Sequence, residues 1–304
     1  MKNQSKEKQN IEEIGGKKEL LKPKNDIVFQ SLFNQKNENI TKNMISALLG
    51  EEITKITINE SKELFREYPE DKLGILDLEA EINEKEKIDI EIQLVDRKNL
   101  AERLLRYFSK LFSMQVEIGH DYKEAKRVVI IAIIDYEYYL TKELSQMETI
   151  WNLREKTTPN LILTDKIEIH IIELNKVLEE YKKDKTNKKA QWMLFINNPN
   201  DKEVQEVAKE NEEIKEATVE VVKMSEDEKL RRLAFLREKA ILDEKDIFRA
   251  GVDKGMEEGM TKGKQEGIEE TKIEIAKKLK ERNATIKEIM EITGLSEKEI
   301  KSIN

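Results

Sequence analysis

Residues 73–95 read LGILDLEAEINEKEKIDIEIQLV, two runs in which apolar and polar residues alternate on either side of a polar segment. A period of two belongs to a β-strand with one buried face. In the second run Ile88, Ile90, Ile92 and Leu94 share one side, so Asp89, Glu91 and Gln93 share the other. In the first, Leu76, Leu78 and Ala80 oppose Asp77, Glu79 and Glu81. A hairpin turn over residues 83–87, centred near Lys85, sets Asp77 opposite Gln93 and Glu79 opposite Glu91. Asp77 and Glu91 are then diagonal neighbours with Cβ atoms roughly 7 Å apart. Two carboxylates at that separation can share one divalent ion.

Such a pair suits phosphodiester hydrolysis, where a hard cation polarises the phosphate and acidifies the attacking water. The competing reading is a solvated acidic strand face, common in a chain that is 39% charged. Like charges across one hairpin repel, and either a cation or water must relieve them. The chain has no cysteine and only two histidines, His120 and His170, which stand singly and are assigned no role. Thiolate and His-rich zinc sites are therefore excluded. Any metal here is held by oxygen, which points to magnesium or manganese.

Working outward, a lysine- and glutamate-rich leader over residues 1–21 reads as disordered. Asn25 or Asp26 then caps a helix carrying Val28, Phe29, Leu32 and Phe33. A second helix, residues 40–49, presents Ile40, Met44, Ala47 and Leu48 and stops at Gly50. Strands are expected at 53–58, 73–81, 88–95 and 128–135, with a long helix at 98–118 before the last of them. That helix shows an apolar stripe of Leu100, Leu104, Leu105, Phe108, Leu111, Phe112 and Gln115. A strand at 167–172, a helix at 176–183 and an aromatic patch at 192–195 complete a core over residues 22–200.

From residue 201 to 304 the texture is Lys/Glu-rich helix. Glycines 251, 255, 259, 263 and 267 recur at every fourth position, which lines them up on one side of a helix. Each weakens that helix by about 1 kcal/mol against alanine, so the stripe reads either as a self-association ridge forming a homodimer or as a mobile tail. Near the end, Ser296 and Glu299 form a capping box after Gly294, reading as a small packed helical hairpin or a helix-turn-helix. The first twenty residues hold no apolar signal region and no stretch reaches membrane-spanning length, so a soluble, cytoplasmic protein is expected. A net charge of −8 argues against a broadly basic coat but leaves room for a local basic groove.

Asp77, thirteen intervening residues, then Glu91-Ile92-Gln93, in helix–strand–strand–strand–helix–strand order, resembles the PD-(D/E)XK nuclease core. Within that superfamily the chain resembles the recombination-promoting nuclease and transposase family. The likeness rests on Leu21 to Phe29 with Leu32-Phe33, on Asp71-Lys72 and Leu76-Asp77, on Arg103, Tyr107, Gln115, Gly119 and Tyr122, and on Ile171 to Leu174. It closes with the glycine run and Thr293 to Ser296. The resemblance implies an α/β fold of αβββαβ order followed by an extended helical region. It implies a magnesium-dependent DNA endonuclease linked to recombination or transposition, in which Asp77 and Glu91 bind metal and Gln93 stands in the lysine position. The alternative is a nuclease fold kept without catalysis, as a DNA-binding or scaffold protein. Leu76 replaces the motif proline, and Gln93 carries no charge. Asp26 is the counterpart of the superfamily's acidic group on the first helix, or a plain cap. Arg103, Arg106 and Lys110 on the long helix, with Tyr107, are candidate DNA contacts or its solvated side.

Overall fold

The computed structural model describes residues 19–59, 77–115 and 121–303. Outside them lie most of the expected leader, Asp71, Lys72, Leu76, the opening of the strand expected from Leu73, Gly119, His120 and the last residues of the helix expected to end at Ile118. The architecture is a mixed α/β one built on a six-stranded sheet of order β1-β2-β3-β4-β6-β5. The strands are β1 (Ile56–Asn59), β2 (Leu78–Ile82), β3 (Glu86–Gln93), β4 (Arg127–Ile134), β5 (Glu148–Trp151) and β6 (Ile167–Glu173). β1, β2 and β3 form an antiparallel meander, β3, β4 and β6 run parallel, and β5 closes the far edge antiparallel to β6.

β4 explains the layering. Its residues from Val128 to Ile134 are all buried, as expected for a parallel strand covered on both faces. Val129, Ile131 and Ile133 join Ile88 and Ile90 in one core, whereas Val128, Ile130, Ala132 and Ile134 join a second core. The first core is filled by α1 (Asp26–Leu32), α2 (Glu38–Leu49), α4 (Val177–Lys183) and α5 (Lys188–Asn197). The second lies under a single helix, α3 (Leu100–Ser113). Sequence alone missed β5, whose four residues include exposed Ile150 and Trp151 and show no alternation of burial.

The β2–β3 hairpin departs from the expected register. Its turn is centred on Glu84, with Leu78 opposite Ile90 and Glu79 opposite Asp89. Asn83 and Glu84 both adopt positive φ, 50° and 60°, a conformation asparagine tolerates better than most residues. The Asn83 side-chain oxygen also accepts the Thr54 and Lys55 backbone N–H groups, fastening the turn to the segment before β1. Continued past Leu78, this register brings Asp77 across from Glu91 instead of Gln93.

Helix α3 buries Leu100, Leu104, Tyr107 and Leu111, with Phe108 and Phe112 partly covered. Leu105, placed in the apolar stripe by its chemistry, is 51% exposed. Spacings of four, three and four residues define the buried line, and Leu105 falls to its side. At the α1 start the cap is Asn25, whose side chain accepts the Ile27 N–H at 3.2 Å.

The compact unit does not end near residue 200, where the texture changes. α6 (Lys202–Glu210) and α7 (Glu212–Glu226) place Val204, Val207, Ile214, Ala217 and Val221 in the first core. That unit ends at Ile241, and a second runs Leu242–Asn304. The long helix α8 (Glu228–Glu281) carries all five glycines. In the second unit, α9 (Ile286–Thr293) and α10 (Glu297–Ser302) each start with a complete capping box, and Ile289 and Ile300 pack with Ala276. The terminal segment is thus a small packed hairpin. Among the described residues no helix is long and apolar enough to cross a membrane.

These assignments predict contrasting costs. Phe195 is fully buried edge-on to Trp192, with ring centroids 5.8 Å apart. Phe195→Ala is expected to cost about 3–5 kcal/mol, and Leu105→Ala to stay within about 0.5 kcal/mol. Urea denaturation of both variants is the check, and comparable losses would contradict the packing described.

Candidate active site

Four chain segments meet where the parallel strands end: the residue before β2, the last residues of β3, the first turn of α3 and Gln30 in α1. Asp77 is tied to two of them. Its Oδ2 accepts the Ile92 backbone N–H at 2.7 Å and its Oδ1 accepts Gln30 Nε2 of α1 at 3.3 Å. Directly opposed residues of an antiparallel pair have Cβ atoms only about 5 Å apart, closer than the diagonal expected from sequence. The corrected register therefore tightens the Asp77–Glu91 pairing.

The acidic face is not a solvated one. Asp89 is 0% exposed and Glu91 1%, because that face of β3 lies on the side covered by α3. Glu91 Oε2 accepts Gln93 Nε2 at 3.1 Å and stands 3.8 Å from Arg103 Nη2, while Oε1 has no hydrogen-bond partner. Neither carboxylate oxygen of Asp89 has a partner either.

The contrast with the turn end of the same hairpin is informative. There Glu81 pairs with Lys126, and Glu86 with Arg127 at 3.2 Å. The protein neutralises acids where they serve only structure. At the other end buried carboxylate oxygens are left bare, a costly state for any polar group.

Electrostatics follow from this crowding. Burial pushes Asp77 up to about 6, with the Asp26 charge adding, while the Ile92 N–H, Gln30 and Arg237 pull the other way. Asp89 is held well above the usual carboxylate range by burial and then by the charges of Asp77 and Glu79. Glu91 is raised likewise by burial, then by Asp89 and Asp77, against the opposing pull of Arg103. Either protons or a cation must compensate these groups. Among the described residues no three Asp, Glu, His or Cys side chains converge to hold an ion unaided. Two carboxylates completed by water and substrate phosphate fit a hard divalent cation of the magnesium type.

Of the expected site residues, Asp77, Glu91 and Gln93 are brought together, and Arg103 and Tyr107 join them. Arg103 Nη1 donates to Gln93 Oε1 at 2.7 Å and Nη2 to the Tyr107 hydroxyl at 2.9 Å. Asp26 is not a bare acid: Arg237 grips its Oδ2 through Nε at 2.7 Å and Nη2 at 2.6 Å, and its Oδ1 accepts the Ile27 N–H at 3.0 Å beside the Asn25 cap. Arg106 is exposed on α3 and Lys110 is half-buried.

Sequence reading missed Asp89 and Gln30 as members of the site. The first was readable from strand parity with Glu91, and the second from its helical spacing to Asp26. Nearby, Lys24 Nζ reaches Asp135 Oδ2 at 3.0 Å, and the Asp135 N–H donates to the Gln93 carbonyl at 3.0 Å. His170, buried between Glu148 at 2.8 Å and Glu168 at 2.9 Å, joins β5 to β6 and is no part of this site.

A mixed sheet that presents an Asp and a Glu-x-Gln from two adjoining strands at one end is consistent with a PD-(D/E)XK-like nuclease fold. The sequence profile of the PD-(D/E)XK nuclease family transposases matches residues 23–251, well over half of the chain, and the protein belongs to that family. No curated protein and no solved structure matches it significantly.

The raised Asp77 pKa has a definite sign. The folded state binds this proton more tightly than the unfolded chain, so the stability it contributes is lost as pH rises from about 4 through about 6. In chelator, Asp77→Asn is expected to raise Tm over wild type near pH 8, with the gain shrinking as pH falls through about 6 and vanishing below about 4. A pH-independent Tm difference would refute the electrostatic account.

Proposed function

We propose that the protein is a magnesium-dependent endonuclease that hydrolyses DNA phosphodiester bonds in recombination or transposition. The observation that supports this most is the facing of Asp77 and Glu91 across one hairpin, with Glu91 Oε1 and both oxygens of Asp89 buried beside them without a hydrogen-bond partner. Family membership supports nuclease or transposase activity and, with it, a DNA substrate. A bound magnesium ion supplies the Lewis acidity that polarises a phosphate and acidifies water. Asp77 and Glu91 hold that ion, manganese being able to replace it. Gln93 aligns a water or phosphate oxygen through its carboxamide. Arg106 and Lys110 serve the DNA backbone from α3, where contact fixes position more than sequence.

Asp77→Ala and Glu91→Ala are each expected to abolish nicking of supercoiled plasmid in magnesium, with no further loss in the double variant, since both ligate one ion. Gln93→Ala is expected to lower the single-turnover rate and Gln93→Lys to keep or raise it. Cleavage by both carboxylate variants at the wild-type rate would sink this assignment, and a wild type that cuts no DNA would favour the second reading, a scaffold that keeps the fold without catalysis. That reading draws on the uncharged Gln93.

Assembly is proposed as a homodimer through α8. A Cβ added at Gly251, Gly255, Gly259, Gly263 or Gly267 would meet nothing within 4 Å, and Val252, Met256 and Met260 beside them are exposed. A ridge bare of side chains next to an apolar line suits close approach by an identical helix. Replacing Gly255, Gly259 and Gly263 together by Ala strengthens an isolated helix by about 1 kcal/mol per residue but blocks that approach. Sedimentation is therefore expected to show a wild-type dimer and a weakened dimer in the variant. A wild type that is monomeric at micromolar concentration would end the proposal.

A further inference from the structure

The position two residues beyond Glu91 carries no charge, yet the site is not without a cation. Arg103 reaches in from the first turn of α3, with a side chain only 25% exposed. Nη1 donates to Gln93 Oε1 at 2.7 Å, and Gln93 Nε2 donates in turn to Glu91 Oε2 at 3.1 Å. Arg103 Nη2 stands 3.8 Å from that same Glu91 oxygen. Arginine, glutamine and glutamate thus close a triangle in which each side chain fixes the next.

The direction of the Gln93 carboxamide follows from this. Its oxygen must face the guanidinium, which has only donors, so its NH2 must face Glu91. Tyr107, one helical turn along, accepts from Nη2 at 2.9 Å and presents its ring 5.8 Å from the guanidinium carbon. The Tyr107 contact holds the arginine toward the strand and away from solvent, and Arg103 lowers the otherwise raised pKa of Glu91.

Resting on the nuclease reading above, we infer that Arg103 is the positively charged member of the centre, supplying through Gln93 the charge that Gln93 lacks. In hydrolysis the oxygen of water bonds to phosphorus, its proton leaves to solvent, and the bond to the leaving oxygen breaks with that oxygen taking up a proton. Negative charge grows on the non-bridging oxygens between these events. A guanidinium fixed beside Gln93 stabilises that charge without having to reorganise. Arg103 is therefore a positioning residue for Gln93 and a local charge, and not simply one more phosphate contact on the outside of α3.

The full-length protein and its Arg103→Ala, Arg103→Lys and Gln93→Lys/Arg103→Ala variants separate these roles. Single-turnover cleavage of supercoiled plasmid in magnesium is expected to fall about 100-fold in Arg103→Ala, while DNA binding in calcium changes little. Gln93→Lys is expected to restore most of the rate in the Arg103→Ala background, because it returns a charge to the same place. Calorimetric titration of the DNA-free proteins with Mn2+ gives a readout independent of cleavage. Removing a positive charge 3.8 Å from Glu91 should leave Mn2+ affinity unchanged or raise it by about threefold or more.

Weaker Mn2+ binding in Arg103→Ala would show that the residue merely supports the fold and would overturn the inference. So would a loss confined to DNA affinity, or a double variant no faster than Arg103→Ala. Asp77→Ala serves as the control for the nuclease reading itself. If the wild type cuts no DNA, that reading fails on its own terms, and the Mn2+ titration still decides the place of Arg103.

Discussion

The hydrogen bond from the Ile92 N–H to Asp77 Oδ2 is where the sheet and the site become one object. It exists only because the β2–β3 hairpin turns at Asn83 and Glu84 in left-handed conformations. With one residue more or less in that turn, Asp77 would face a different partner, and a slip of one residue in pairing would send it to the opposite side of the sheet. Burial of Asp89 and Glu91, the elevated carboxyl pKa values and the access of Arg103 all follow from this register together with the α3 cover.

Two kinds of acidic residue share the hairpin. Glu81 and Glu86 have Lys126 and Arg127 as partners, so their charge is balanced within the fold. Asp89 and one oxygen of Glu91 are not hydrogen-bonded at all. Buried charge without compensation is strongly unfavourable, so these groups call for protons or a cation in a way that Glu81 and Glu86 do not.

Much of this was legible in the sequence. The alternation around Asp77 and Glu91 located both strands and assigned their faces, and the strand expected at 128–135 is present as β4. Legibility failed where the outcome depends on more than one element. Turn geometry set the register, and α3 converted an apparently solvated face into a buried one. Asp26 looked like a free acid or a cap because its partner, Arg237, lies more than two hundred residues away. Likewise Arg103 looked like a surface cation, since nothing in its neighbourhood along the chain shows that Gln93 lies within reach. The core boundary was drawn at the texture change, although amphipathic α6 and α7 still contribute apolar faces to it.

Glu91 and Asp77 also belong to regions of unequal permanence. Glu91 sits in β3, hydrogen-bonded on both sides and adjoining the fully buried β4. Asp77 sits just ahead of β2, whose other neighbour is the four-residue edge strand β1. Partial opening of proteins begins at short edges and spares central strands. Amide exchange at Ile58 and Ala80 should therefore outpace exchange at Ile90 or Ile131. One half of the site rests on the core of the sheet, and the other on its margin.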